Sequence, residues 1–201
     1  LMVDGKVRNY LKEGHLSQGV RGLGNLLLKL KDARMDLDPA CEIEPLEGRF
    51  GEEFTAMNSK IIERFKVCGD RTSDYLNWRY IDNPTQMFET IVLRKRGILE
   101  SYAVFSCFDE EATLADLFGE ANGNSMNALL STVIQICRER KVHTLSVPVM
   151  ETSHLVPLLK ESGFSPREYD HVVFYARPKG RHDGVVTDGK NWFLTAGDRD
   201  S

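Results

Sequence analysis

Residues 113–130 read TLADLFGEANGNSMNALL. An apolar strand-like run, interrupted by Asp116, ends at Gly119, and a short polar stretch holding Gly123 follows. A helix then begins: Met126, Leu129, Leu130, Val133, Ile134 and Cys137 recur on one face across residues 124–140. Strand, glycine-bearing loop and helix in direct succession place the free N–H groups of a helix start beside a strand end. That arrangement can hold an anion.

Working outward, CEIEPLE (41–47) reads as a strand, and residues 51–66 as a helix with Phe54, Met57, Ile61 and Phe65 on one face. In RTSDYLNWRYIDNP (71–84), Thr72 or Ser73 caps a short helix that Asn83-Pro84 ends. MFETIVLRK and ILESYAVFSCF are strands joined at Arg96-Gly97, a hairpin turn. Beyond the long helix, VHTLSVPVM is a strand. Thr152 or Ser153 caps a helix carrying Leu155, Leu158 and Leu159, and Gly163 stops it so that Phe164 folds back on its last turn. HVVFYARP (171–178) is a strand, RHDGVVTDGK (181–190) a polar excursion and NWFLTAG (191–197) a last short strand. Residues 1–40 differ: Leu16, Val20, Leu23, Leu26, Leu27 and Leu30 have helical spacing, while Gly19, Gly22 and Gly24 each cost such a helix up to about 1 kcal/mol. We expect a connecting helix or strap there, lying outside the sheet. From residue 41 the order is β-α-α-β-β-β-α-β-α-β-β, a mixed α/β (α+β) domain with an antiparallel meander and a strand-helix-strand crossover.

The 201 residues are 41% hydrophobic and 28% charged, enough for one sizeable core. A net charge of −4 without a Lys/Arg block points away from nucleic acid and anionic membranes as partners. Cys41, Cys68, Cys107 and Cys137 lie far apart with no C-x-x-C, and the five histidines are scattered, so neither a zinc site nor a disulfide framework is expected. Separate thiols suit a reducing, cytoplasmic setting. No apolar run reaches the roughly 20 residues that span a bilayer. The opening LMVDGKVRNYLKEG has no signal-peptide pattern, and its initial Leu suggests a piece of something longer.

The order of elements over residues 41–201 resembles the GNAT acyltransferase superfamily. The wording of DYLNWRYIDNP (74–84) and NWFLTAGDRD (191–200) is similar to a divergent bacterial branch in which two such domains often occur in tandem. The resemblance implies a sheet whose central strand splays from its neighbour, with acetyl-CoA or another acyl-CoA wedged between them. It also implies that residues 1–40 contact a preceding domain or a second copy.

In that fold the pyrophosphate loop follows the fourth strand and opens the third helix. Here those are residues Asn122, Gly123, Asn124, Ser125, Met126 and Asn127. Only Gly123 keeps the family's glycine pattern; Ser125 and Asn127 stand where small residues belong, so the loop is degenerate. The more conspicuous Arg21-Gly22-Leu23-Gly24 is a decoy, since nothing before Gln18 reads as the three strands that should come ahead of such a loop and Gly19 occupies the family's Gln/Arg position. Leu159 stands where many relatives place a proton-donating Tyr.

Acyl transfer needs a base for the acceptor's proton and donors for the carbonyl oxygen. Asp116 is the first candidate base and Glu120 the second. Alternatively, Asp116 is a structural group enclosed by backbone N–H donors or by an Arg such as Arg79, and Glu120 an exposed charge. Tyr75, Trp78, Arg79 and Tyr80 sit on the helix that lines the acceptor side of the resembled fold, or are core aromatics with a surface Arg. His143 and His171 read as structural. Two functions follow: an acyl-CoA-dependent N- or O-acyltransferase acting on a small metabolite or polysaccharide precursor, or a non-catalytic GNAT-like module that binds a ligand or props a partner domain.

Overall fold

The computed structural model describes residues 5–13, 38–120, 123–172 and 183–199. In chain order these form β1 (Gly5–Glu13), β2 (Cys41–Pro45), α1 (Glu52–Ile61) with a 3₁₀ turn over 62–64, and β3 (Val67–Cys68). Next come α2 (Ser73–Leu76), continued by a π-helical turn over 77–81, then β4 (Glu89–Lys95), β5 (Ile98–Phe108), β6 (Glu111–Gly119) and α3 (Gly123–Glu139). The chain continues through β7 (Thr144–Met150), α4 (Leu155–Glu161), β8 (Ser165–Val172), α5 (Asp183–Val186), β9 (Trp192–Phe193) and a 3₁₀ turn over 196–198.

The main sheet has the order β2-β4-β5-β6-β7-β1-β8, and β3 and β9 form a small parallel pair. Strands β2, β4, β5 and β6 form the antiparallel meander. Its tight turn is Arg96-Gly97, where both residues take positive φ (51° and 78°) as the hairpin requires. Thr72 caps α2 by accepting from the Tyr75 N–H, and Ser153 accepts from the Leu155 N–H at the start of α4. Gly163, at φ 86°, ends α4 and turns the buried Phe164 back so that its N–H bonds Leu159.

Three sequence expectations need correction. Residues 5–13 are not part of a helical strap outside the sheet. They are a strand inside it, antiparallel to both β7 and β8. The remainder of that strap, residues 14–37, lies outside the described residues. The strand expected over 171–178 instead begins at Ser165, and residues 173–182 lie outside the described set. The last strand is only Trp192–Phe193, because its partner, β3, is itself two residues long.

Successive residues of a strand face opposite sides of the sheet. Tyr102 of β5 meets Phe54 of α1, whereas Phe105 lines a cavity of about 490 Å³ with Ile136 of α3, so α1 and α3 cover opposite faces. The β5–β6 register slips at this level, Val104 facing Asp116 and Phe105 facing Leu114. Ala115 is therefore the extra residue of a β-bulge. The bulge switches faces: Ala112 and Leu114 point toward α3, but Asp116 and Phe118 point toward α1 and α2.

Candidate functional site

Strands β6 and β7 run parallel but pair only at Glu111–Thr113 with Thr144–Ser146. Beyond that they part, which is the splay that the resemblance implies. Residues from the C-terminal part of the chain occupy the α2 side of the gap. Thr195 forms an isolated antiparallel bridge with Val149 of β7, and its hydroxyl reaches Asp116 of β6 at 3.1 Å.

Asp116 is 2% exposed, and both its oxygens are engaged. Oδ2 accepts from Arg71 Nε (3.1 Å) and the Tyr102 hydroxyl (2.9 Å); Oδ1 accepts from Arg71 Nη2 (3.3 Å) and the Thr195 hydroxyl. The arginine beside it is thus Arg71, not Arg79. Arg71 is equally buried and donates also to Asp198 (2.7 Å), the Gly69 carbonyl (2.8 Å) and Cys68 Sγ (3.3 Å). Its guanidinium carbon lies 5.0 Å from the ring centres of both Phe118 and Phe193. Thr195 and Asp198 also cap each other across the last 3₁₀ turn.

One guanidinium faces two carboxylates here, so the cluster is net negative. Burial raises the Asp116 pKa, and Asp198 adds to the rise against the pull of Arg71. Burial alone would lower the Arg71 pKa, but Asp116 and Asp198 outweigh it and hold the cation charged. Burial also pushes the Cys68 thiol up to about 12.

The residues expected on the acceptor side hold this same C-terminal turn. Arg79 donates from Nε to the Gly197 carbonyl (2.8 Å) and from Nη2 to the Arg199 carbonyl (2.5 Å), and the Tyr75 hydroxyl donates to Gly197 (3.4 Å). Tyr80 is buried against Phe50 and Phe88, its hydroxyl beside Gly197. Trp78 is 63% exposed and packs on Tyr75. The two phrases that carried the resemblance, 74–84 and 191–200, therefore meet in space.

Glu120, just past β6, pairs with Arg64 at 2.6 Å, both half-exposed. Gly119 before it sits at φ 155°, its Cα so close to Ser101 that a Cβ would collide. Asn122 lies outside the described residues. Gly123 is the first residue of α3, Asn124 is exposed, Ser125 and Met126 are buried and Asn127 is half-buried. His143 bonds Glu110 (2.7 Å), His171 is exposed on β8, and Leu159 is fully buried. The 490 Å³ cavity is lined by Ile43, Leu46, Phe88 and Ile136 on the α3 side, and none of these groups lines it. Among the described residues no cluster of His, Cys, Asp and Glu could hold a metal ion, and no helix is long and apolar enough to cross a membrane.

Sequence reasoning missed Arg71, Tyr102, Thr195 and Asp198. Arg71 is the residue before the Thr72 cap, and Asp198 belongs to the closing phrase; each was in view, but nothing local joins residues 127 positions apart.

No protein-family model matches the sequence, and no curated protein matches it. Solved structures do match its fold. A GCN5-related N-acetyltransferase from Anabaena variabilis superposes with TM-score 0.54 at 12% identity, over 85% of this chain and 40% of that one. The Escherichia coli ribosomal-protein-S18-alanine N-acetyltransferase gives 0.50 at 18%, over 64% and 79%. A functionally unknown conserved protein from Staphylococcus epidermidis gives 0.54 at 10%, over 82% and 59%. The chain thus spans little more than half the length of the Staphylococcus protein and less than half of the Anabaena one. The fold is that of the GNAT acetyltransferases.

Proposed function

We propose that the chain is an acyl-CoA-dependent N- or O-acyltransferase of the GNAT type with a degenerate pyrophosphate loop. The observation that carries this reading is the parting of β6 from β7 with α3 starting four residues beyond the end of β6. An acyl-pantetheine strand fits such a gap, and the N–H groups at residues 122–127 supply donors for its pyrophosphate. The acceptor in this reading is an amino or hydroxyl group of a small metabolite or polysaccharide precursor, in the cytoplasm. Contact with a preceding domain or second copy falls to residues 14–37, since residues 5–13 are engaged in the sheet.

Asp116 has a different part here from the expected base. Buried and with both oxygens bonded, it anchors Arg71, which in turn holds the C-terminal turn across the gap. That same observation favours a second reading, a non-catalytic GNAT-like module, because residues 195–198 fill the α2 side of the splay.

Calorimetric titration with acetyl-CoA and desulfo-CoA separates the two. Binding that Gly123→Val abolishes and Gly22→Val leaves intact supports the acyl-CoA site. Absence of binding overturns it, and loss of binding only in Gly22→Val moves the site to the other glycine run.

A further inference from the structure

With Asp116 enclosed and the α2 side of the gap filled, a proton acceptor for the transfer has to be sought at the rim of the splay. His154 stands there. It follows β7 and is the residue just before α4, with its ring stacked 5.2 Å from Phe193 and 5.5 Å from Phe65, at 29° and 28° between planes. Phe193 lies in turn 5.8 Å from Phe118 of β6 and 4.6 Å from Phe65. These four rings therefore bridge the two parted strands, and His154 is the outermost of them and the one exposed to solvent. A stacked ring on a helix start has little rotational freedom, so its edge is held in one direction.

We propose, on the acyltransferase reading, that the acceptor enters past His154 and that this imidazole takes its proton. The acceptor's lone pair forms the new bond to the thioester carbonyl carbon as its N–H or O–H proton passes to a ring nitrogen of His154. The C–S bond then breaks, coenzyme A leaves as the thiolate, and the proton on His154 returns to solvent or to that thiolate. Nothing else is consumed.

The surroundings keep the imidazole in its accepting form. Burial of its ring face lowers its pKa below the ordinary 6.5, and the positive charge of Arg64 lowers it further. Glu120 reaches this region through its ion pair with Arg64, and Arg71 lies on Phe193, which separates it from His154. His154 is thus neutral at pH 7 and accessible, a combination that Asp116 lacks.

The test measures thiol release from acetyl-CoA, with simple primary amines as acceptors, from pH 5 to 9 on the full chain, beside calorimetric binding of acetyl-CoA. His154→Gln is expected to bind acetyl-CoA within about 2-fold of the parent. It should lose thiol release by about 100-fold or more, together with the acid limb that the parent's pH profile shows below 6.5. His154→Phe, which keeps the ring stack, is expected to melt like the parent and show the same loss. Turnover by His154→Gln with the limb intact overturns the inference and leaves the acyltransferase reading standing. Binding by the parent with no thiol release at any pH overturns the inference as well. No binding at all overturns the acyl-CoA reading itself, and the inference with it.

Discussion

At Arg71 one positive charge is shared between Asp116 and Asp198 in a place with almost no water. Such a group adds little net stability over an apolar filling, but breaking it strands a charge. Arg71→Met is expected to cost about 3–5 kcal/mol, because two buried carboxylates lose the cation they share. Asp116→Asn should cost less, about 1–3 kcal/mol, since the amide keeps the shape and still leaves Arg71 paired with Asp198. Urea midpoints for both variants check the ranking. If Asp116→Asn unfolds at the parent's midpoint yet loses turnover, Asp116 acts in chemistry after all.

At the level of elements, the C-terminal turn is held by close packing. Tyr80 presents its hydroxyl where a Cβ on Gly197 would stand, and the ring is fixed by Phe50 and Phe88. Gly197→Ala must therefore displace residues 195–199 from α2. Hydrogen exchange should show faster exchange over 192–199, with β4–β6 as protected as before; unchanged protection over 192–199 contradicts this packing account. The exposed ion pairs make a separate, pH-dependent statement. Arg94 joins β4 to Glu44 of β2 and Glu53 of α1. Its hydrogen bond lowers the Glu53 carboxyl below the ordinary 4.5, as Arg140 does for Glu89. A carboxyl with a depressed folded pKa contributes stability above about pH 4.5 and loses it as the pH falls through the folded value. Arg94→Met should accordingly lower the melting temperature at pH 7, and the gap to the parent should close on acidification below 4.5. The partial exposure of these groups keeps the gap small.

Most elements between residues 41 and 161 were legible because each carries its own period, whereas the two-residue β3, the start of β8 and the helical turn α5 were not. The stripe Phe54, Met57, Ile61 and the hairpin at Arg96-Gly97 are local signals, and both are present in the structure. The bulge at Ala115 was not, since apolar residues occupy both faces of β6 and hide a change of phase. The Arg71 cluster was hidden for another reason: its members come from β5, β6, the loop before α2 and the C-terminal turn, and only tertiary packing brings these together. Strand β1 failed because the leucine spacing that followed it was extended backward over residues 5–13.

For the whole molecule, that strand is the most consequential feature. It lies sixth in a seven-stranded order, while the next strand in sequence, β2, lies first, about 24 Å away at the usual strand spacing. Strands β7 and β8 run in the same direction, and β1 fills the slot between them, paired on both sides from Val7 to Leu11. With the slot filled from the N-terminal side, residues 192–199 are free to turn back across the splay and meet Arg71. A chain beginning at Asp38 would leave two facing strand edges unpaired, a template for association. It should elute as oligomers, or lose its cooperative melt, and a synthetic peptide of residues 1–13 should shift it toward the monomer. Backbone pairing supplies the test of register: Leu11→Pro removes an N–H from a strand flanked by Ser146 and Ser165, and should speed exchange in β7 and β8 while sparing β4 and β5. A monomeric chain from Asp38 with the full chain's melting temperature would show that the sheet closes without β1.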